Sequence, residues 1–390
     1  MTPYIKLLVF LIGALYAEVE FAQVTSTQDV IDVQATPSST PAAFVYVSSK
    51  PKINYKINAF VADSYGRLTR VPGSPFAADV QSMEVNGKYL FGTNGIDIHS
   101  FSIGPDGALQ KVASINAQQF NGYNCGGPTD LFVDRSRATL YDLDYAGNEC
   151  ANNVYQSFSI DGSTGALTYL GVSTASVDFQ VPLSFIGNNV YAYGSGCFHL
   201  EARIYGFKRN GDGTLTDLNI RPPMPVAKPG DFYCTSLVAA DATNHAAISV
   251  QAYNAQSWQP DGPPQLATYT ADGSGNLTTK STFSNMPEAA LQYVTDISLS
   301  PSGKLLAVAG AAGLQVFHFH GSNPITRYTG LLTNVQVDQL SWDNHNHLYG
   351  ISRSAGKLFV FTVTPTSVRQ APGSPYTITN PQNIAVLPKT

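Results

Sequence analysis

Charged residues are scarce in this chain: Asp, Glu, Lys and Arg make up 13% of its 390 residues, against 43% hydrophobic residues. This balance excludes a largely disordered chain, because it supplies ample material for a buried core. The 22 Lys and Arg residues are scattered and the net charge is −5. Nucleic acid is therefore not an expected partner, since binding it needs clustered cations that displace counterions.

Several signatures of catalysis and of cofactor binding are also missing. No Walker loop, dinucleotide-binding GxGxxG, GxSxG elbow or HExxH motif occurs in the sequence. The sequence therefore lacks the usual motifs for phosphate binding, nicotinamide chemistry, serine hydrolysis and zinc proteolysis. The sequence predicts a protein that works without a cofactor.

Long apolar runs are absent except near the start, where Leu7 to Tyr16 form a run of ten residues. That length is too short to span a bilayer and is typical of a signal-peptide core. We interpret residues 1–22 as a signal peptide and the polar residues 23–42 as a flexible linker; an uncleaved anchor is the alternative. The expected location is secreted or periplasmic, with no membrane span after cleavage.

Internal repetition is the strongest positive signal, and no long segment has helical periodicity. A strand followed by a polar turn recurs seven times. The seven copies are SMEVNGK at 82, DLFVDRSR at 130, LSFIGNN at 183, SLVAADATN at 236, ISLSPSGK at 297, LSWDNHNH at 340 and IAVLPK at 384. Glycine turns of the DG-x-L type, such as PDGAL at 105 and GDGTL at 211, precede a further strand in five of the units. The pattern predicts an all-β, seven-bladed propeller with four antiparallel strands per blade.

The two ends of the repeat region predict how the ring closes. The first strand, AFVYVSS at 43, lacks an innermost strand before it, and the last, NIAVLPK at 383, has nothing after it. We expect the last strand to pair with the first, so that both termini build one blade and no sheet edge stays free. Residues 43–390 then supply about 50 residues per blade.

The repeats VPGSPF at 71 and APGSPY at 371, with SPSGKLLAVAG and the DG-x-L turns, resemble the lactonase-like seven-bladed propeller family. The resemblance covers residues 43–390. It implies the fold, and the family includes 6-phosphogluconolactonases, muconate-lactonising enzymes and exported relatives. Enzymes of the family typically carry a Gly-Pro-Arg-His-like run before a mid-chain innermost strand. Here the corresponding linker reads PGDFYCTSLVAA at 229, with Cys234 and no Arg or His.

The four cysteines lack zinc-site spacing, and an exported protein with an even number of them is expected to form disulfides. On the propeller pattern all four lie in loops of one face, and neighbouring loops pair in sequence order. We predict the disulfides Cys125–Cys150 and Cys197–Cys234. They either only restrain loops or also shape a pocket.

The best candidate for chemistry is CFHLEARIYGF at 197, where His199, Glu201 and Arg203 alternate. In an extended strand they point to one side, where a carboxylate beside His and Arg can perform acid–base work on a lactone. The alternative is a solvated loop. Other side chains predicted on the same rim are Asp144, Glu149, Asp231, Trp258, Lys50, Lys52 and Arg353.

Two other histidines, His345 and His347, have a spacing that can bind metal, but no third ligand lies near them in sequence. They fall in a predicted turn on the opposite face, which we interpret as a surface turn, and no metal site is predicted. The sequence favours an exported propeller that binds an unknown small molecule, carbohydrate or protein without catalysis. A lactone hydrolase or isomerase without a nucleotide cofactor is the alternative.

Overall fold

The computed structural model describes residues 40–120, 127–144, 153–175 and 181–389. They belong to a compact unit, Ser38–Thr390. Their regular structure consists of antiparallel β-strands and one short 3-10 helix, Gln118–Phe120. The predicted all-β class is confirmed.

The strands form seven small sheets, which we number as blades along the chain. Blade one contains β30 (Pro381–Pro388), β1 (Ala43–Ser49), β2 (Lys56–Ala62), β3 (Leu68–Arg70) and the short β4 (Phe76–Ala77). Blade two contains β5 (Ser82–Val85), β6 (Tyr89–Thr93), β7 (Asp97–Ile103) and β8 (Leu109–Asn116). Blade three contains β9 (Pro128–Val133), β10 (Thr139–Asp144), β11 (Asn153–Ile160) and β12 (Leu167–Ala175).

The remaining four blades repeat the same order of strands. Blade four contains β13 (Ser184–Phe185), β14 (Tyr191–Phe198), β15 (Glu201–Arg209) and β16 (Leu215–Asp217). Blade five contains β17 (Asp231–Ala240), β18 (His245–Asn254), β19 (Gln265–Ala271) and β20 (Leu277–Thr278). Blade six contains β21 (Val294–Leu299), β22 (Leu305–Gly310), β23 (Gly313–His320) and β24 (Asn323–Arg327). Blade seven contains β25 (Gln339–Trp342), β26 (His347–Ser352), β27 (Lys357–Val363), β28 (Val368–Gln370) and β29 (Tyr376–Thr377).

The predicted ring closure is confirmed. The last strand, β30, pairs antiparallel with β1, from Ala43 opposite Pro388 to Ser48 opposite Asn383. Each of the seven predicted innermost strands begins a sheet as expected. The two termini therefore complete one blade together, and the edge of β1 is covered.

The core lies between the blades. Seven clusters of buried apolar side chains each join one blade to the next, including a cluster that joins blade seven to blade one. Cluster members alternate along the strands, because successive side chains of a strand point to opposite neighbours. Hydrophobic burial thus holds the ring together at every interface.

Tyrosines of second strands fasten neighbouring blades at the glycine turns. The hydroxyls of Tyr46, Tyr141 and Tyr193 donate to the carbonyl oxygens of a glycine in the next blade, at 3.0, 2.7 and 2.9 Å; the three acceptors are Gly107, Gly213 and Gly275. These glycines have positive φ (86°, 98° and 85°), as the DG-x-L pattern predicts.

Three details differ from the sequence prediction. The run NPIT at 323 is the start of strand β24 rather than a turn, and Gly321 with Ser322 makes the turn. Ala42, assigned to the linker, is buried and its N–H donates to the Ala62 carbonyl. Residues 1–39 lie outside the described residues, so the signal peptide and the rest of the linker stay predictions.

The predicted surface turn at DNHNH is wrong for one of its two histidines. His345 is exposed, but His347 is fully buried and its Nδ1 lies 2.7 Å from the Asp343 carboxylate. The Tyr349 hydroxyl donates to the same carboxylate at 2.9 Å. His347 is therefore part of the blade core, with one ring nitrogen paired to Asp343 and the other, Nε2, buried without a hydrogen-bond partner among the described residues.

Candidate functional site

A cavity of about 590 Å³ lies between blades four, five and six. It opens on the face made by the loops between second and third strands and by the connections between blades, which we call the top face. Leu200 in the β14–β15 turn, Pro260 in the β18–β19 loop and Tyr293 in the connection to blade six contribute to its wall. The volume is within the range of small-molecule sites.

The wall of this cavity is mostly apolar, and its polar groups are uncharged in the part of the chain that the structure describes. It carries hydroxyl, amide and phenol groups and no Asp, Glu, Lys, Arg or His. Its polar side chains are Ser195, Thr235, Ser236, Gln251, Tyr253, Gln292, Tyr293 and Thr295. Groups of this kind donate to and accept from neutral ligands, and they offer no charge to a phosphate.

One wall hydroxyl has an unused hydrogen-bonding capacity. Ser195 is fully buried, and its Oγ has no hydrogen-bond partner. Its neighbours in the wall are satisfied: the Thr235 hydroxyl donates to the Gly196 carbonyl at 2.9 Å, and the Gln251 amide donates to the Gly262 carbonyl at 2.9 Å. Buried polar groups are normally paired, so the enclosed Ser195 hydroxyl is an exception among the described wall residues.

A disulfide forms part of the cavity wall. Cys197 is bonded to Cys234, with their Cα atoms 5.3 Å apart. The sequence placed these residues in loops, but Cys197 lies in strand β14 and Cys234 in strand β17. The bond therefore ties the second strand of blade four to the first strand of blade five. Cys125 and Cys150 lie outside the described residues, so their pairing stays a prediction.

An aromatic row runs from the cavity to the rim. The ring of Tyr253, in the wall, stacks on Phe232 with centroids 5.9 Å apart. The ring of Trp258 contacts the ring of Phe232 edge-on, with the two centroids 5.8 Å apart. Trp258 is 57% exposed, and its backbone has a φ of 58°. An exposed indole held in a sparsely populated conformation is suited to contact a ligand.

The candidate trio from the sequence does not line this cavity. His199 lies in the turn between β14 and β15 with a φ of 44°, so it does not alternate with Glu201 and Arg203 as expected. Glu201 and Arg203 begin β15, with the carboxylate 3.6 Å from the guanidinium. Both line a separate groove of about 260 Å³ beside Asp217 and β16, and both are exposed to solvent.

The remaining predicted rim residues have different surroundings. Asp144, expected on the rim, is buried at the end of β10. Asp231 is half-buried at the start of β17, and the exposed Arg353 donates from its guanidinium to the Gln382 carbonyl at 2.8 Å. Lys52 is exposed, whereas Lys50 lies over the ring of Tyr55. Glu149 lies outside the described residues.

Two carboxylates that the sequence did not single out influence each other electrostatically from different blades. Asp130 of blade three and Asp296 of blade six lie on innermost strands of blades that are not neighbours, and the charge of Asp130 acts on Asp296. Burial raises the pKa of Asp296 to about 7, and Asp130 adds to the rise. Burial also raises the pKa of Asp130, while a hydrogen bond from Ser82 and the charge of Arg353 lower it.

A third carboxylate on an innermost strand is that of Glu84, in β5. Burial raises its pKa to about 7, and the N–H of Val85 and the charge of Arg137 offset part of the rise. Within the described ranges, no group of three His, Cys, Asp or Glu side chains is placed to hold a metal ion. The same residues include no helix long and apolar enough to cross a membrane.

No protein-family model and no curated protein sequence matches this chain. Solved structures do match. The periplasmic gluconolactonase of Pseudomonas aeruginosa is 12% identical with a TM-score of 0.64, over 88% of this chain and 98% of its own. A candidate 6-phosphogluconolactonase from Bacteroides uniformis is 12% identical with a TM-score of 0.64, over 89% and 100%. One from Bacteroides fragilis is 15% identical with a TM-score of 0.58, over 90% and 99%.

These similarities, all at 15% identity or less, show that the chain shares the seven-bladed β-propeller fold of these structures. The resemblance predicted from the repeats is confirmed at the level of the fold. Function resides in a site and not in a fold, and unrelated activities share this architecture. The chemistry of this chain has to be argued from its own cavity.

Proposed function

We propose that this protein is an exported binding propeller that takes a neutral, hydroxylated small molecule, a carbohydrate or an unphosphorylated sugar lactone, into the cavity between blades four and six. The observation that carries the proposal is the wall itself: its polar groups are all uncharged, and the buried Ser195 hydroxyl has no partner among the described residues. A sugar hydroxyl both donates and accepts, and so can complete the hydrogen bonding of Ser195.

The aromatic row supports the same ligand class. Tyr253 is in the wall, and Trp258 is exposed at the rim beside Phe232. Indole and phenol rings offer a large apolar face with a polar edge, which suits the mixed surface of a sugar ring. A ligand longer than one ring would reach from the cavity to Trp258.

Export is supported by two independent features. The apolar run at Leu7–Tyr16 has the length of a signal-peptide core. The bond between Cys197 and Cys234 is of a kind that persists in oxidising compartments outside the cytoplasm.

Binding without turnover is supported by what surrounds the cavity. General acid–base catalysis needs a titratable group within hydrogen-bond reach of the reacting atom. The described wall has no acid or histidine, and Glu201 and Arg203 lie in another groove. A phosphorylated lactone would also need converging cations.

One observation favours a second function, lactone hydrolysis or isomerisation in the central channel. The Asp296 carboxyl, with a pKa of about 7, is poised to exchange a proton near neutral pH. Arg353 is close enough to lower the pKa of Asp130, so a cation is at hand for a developing oxyanion. This alternative requires the ligand to reach the axis rather than stay between blades four and six.

A binding screen of monosaccharides, oligosaccharides and unphosphorylated lactones by calorimetry tests the proposal. We expect saturable binding that Tyr253→Ala and Ser195→Ala each weaken by about tenfold, the loss of one stacking or hydrogen-bonding contact. Trp258→Ala should weaken longer ligands more than single rings. Tyr65→Ala, an exposed aromatic on blade one's outer turn, is the matched control and should bind like the wild type.

The same panel distinguishes the two functions when it is assayed for ring opening. The binding proposal expects no turnover of any lactone. Turnover that is lost in Asp296→Asn would establish the channel hydrolase instead, and loss in Glu201→Gln would establish the trio predicted from the sequence. Binding that is unchanged in Ser195→Ala and Tyr253→Ala would show that the ligand sits elsewhere.

A further inference from the structure

The interface between blades two and three changes character along its length. Its lower part is apolar, with Phe91 of blade two against Leu140 and Phe158 of blade three. Side chains on one side of a strand recur every second residue, so Asp142 and Asp144 follow Leu140 on that same side of β10. The interface therefore turns acidic towards the top face, although both carboxylates are buried.

Asp142 has no donor for its carboxylate among the residues that the structure describes. The residue is fully buried, and neither Oδ1 nor Oδ2 has a hydrogen-bond partner there. The N–H of Gln156 is near this carboxylate, but it does not have the geometry of a hydrogen bond.

The Gln156 side chain brings a further oxygen to the same place. Gln156 lies directly opposite Asp142 in the β10–β11 ladder. Its Nε2 donates to Oδ2 of Asp144 at 3.1 Å, which positions its amide beside both acids. Its Oε1 is buried and has no partner. A buried amide oxygen without a donor is a second sign, independent of the acids, that something is bound there.

The electrostatics of this arrangement call for a positive charge. Removing a carboxylate from water costs several kcal/mol unless it is paired. Within the described residues, no Lys, Arg or His pairs with the Asp142 carboxylate, since neither of its oxygens has a partner. Two adjacent carboxylates are balanced in charge by one divalent cation.

We infer that Asp142, Asp144 and Gln156 form a calcium site between blades two and three. Calcium is a hard cation that takes carboxylate and amide oxygens, tolerates irregular geometry and completes its shell with water. Ser100, on the same side of β7 as Ile98, is buried with an unpartnered Oγ and adds a hydroxyl to the blade-two side of the interface. Magnesium is disfavoured, because it demands octahedral geometry and gives up its waters reluctantly.

Calorimetry and thermal unfolding of the full-length protein, stripped with a chelator and titrated with CaCl₂ at neutral pH, test the site. We expect stoichiometric calcium binding and a rise in melting temperature, since a ligand that binds only the folded state stabilises it. MgCl₂ and KCl at equal ionic strength should give a much smaller rise. Absence of calcium binding to the stripped wild type would overturn the inference without bearing on the cavity between blades four and six.

Two variants locate the ion. Asp142→Asn should weaken calcium binding at least about tenfold and remove most of the melting-temperature rise, while the calcium-free variant melts no lower than the calcium-free wild type because a buried charge is gone. Gln156→Met keeps the size of the side chain and should also weaken calcium binding. It tests the site if Asp142→Asn does not fold. Glu288→Gln, in an exposed pair with Arg327, is the control. Calcium binding that is unchanged in both variants would refute this site.

Discussion

Asp130 and Asp296 show how a residue's position in the ring controls its proton affinity. Neither belongs to a recognisable motif, and each follows a threonine in its innermost strand. Folding of the ring places two acids that are distant in sequence within electrostatic range of each other. Glu84, on innermost strand β5, is also half-buried in the folded ring.

Asp296 should make the stability of the protein depend on pH. Its folded-state pKa is about 7, against an ordinary value of 3.8, so between these values the folded state holds a proton that the unfolded state has released. Stability from this group is therefore greatest at low pH and decreases as pH rises towards and through about 7. We expect Asp296→Asn to become progressively more stable than the wild type over this range, measured by urea unfolding at several pH values. Stability curves that run parallel would contradict the raised pKa.

At the scale of elements, strand β17 shows why the cysteines were misplaced. The hydrophobic pattern suggested an innermost strand near Ser236, but pairing with β18 begins already at Asp231. The additional residues of β17 include polar ones, which a surface strand normally exposes to solvent. Here Cys234 and Thr235 border the cavity instead. The disulfide consequently links two strands and restrains the frame of the candidate site.

Peptide mapping without reduction should recover Cys197 joined to Cys234. The bond closes a segment with a sequence separation of 37, and replacing both residues by Ala should cost about 2–4 kcal/mol of unfolding free energy. Ligand affinity should also decrease, since the bond is part of the cavity wall. Cys125→Ala/Cys150→Ala is the companion variant for the other predicted pair. A recovered link between Cys150 and Cys197, or four free thiols, would contradict the sequential pairing.

For the molecule as a whole, strand β30 has a larger role than its length suggests. Ile384 and Val386 belong to the cluster between blades seven and one, whereas Ala385 and Leu387 belong to the cluster between blades one and two. The Asn383 side chain also accepts from the N–H of Met83 in blade two. One strand thus stabilises two interfaces, and through them the ring.

Deletion of residues 383–390 should destabilise the entire propeller. Ile384, Val386 and Leu387 are each worth about 1.5–3 kcal/mol when buried, which is a large part of an ordinary domain stability. We expect a melting temperature far below that of the full chain, with loss of a cooperative transition, in calorimetry. A control that lacks only Thr390 keeps all of β30. A truncated protein that melts like this control would show that the ring does not depend on closure.

The seven repeats and the two unmatched end strands were enough to predict the fold and its closure, because strand alternation and glycine turns are local signals that every blade repeats. The buried His347 was missed for the opposite reason: its Nδ1 meets the Asp343 carboxylate, which also accepts from Tyr349, only when the blade has formed. From the sequence alone, a histidine in a polar turn is expected to be exposed.

The candidate site was the feature that the sequence predicted least well. Trp258 and the pairing of Cys197 with Cys234 were identified, but the alternation of His199 with Glu201 failed, because the strand ends in a turn at that residue. The sequence by itself determined which segments become strands and in what order they enter the ring. Only the tertiary structure decided that Ser195 lies in the wall of a cavity, that Asp142 has no donor among the described residues and that the charge of Asp130 acts on Asp296. Those properties depend on distances between blades, and closing the ring is what creates them.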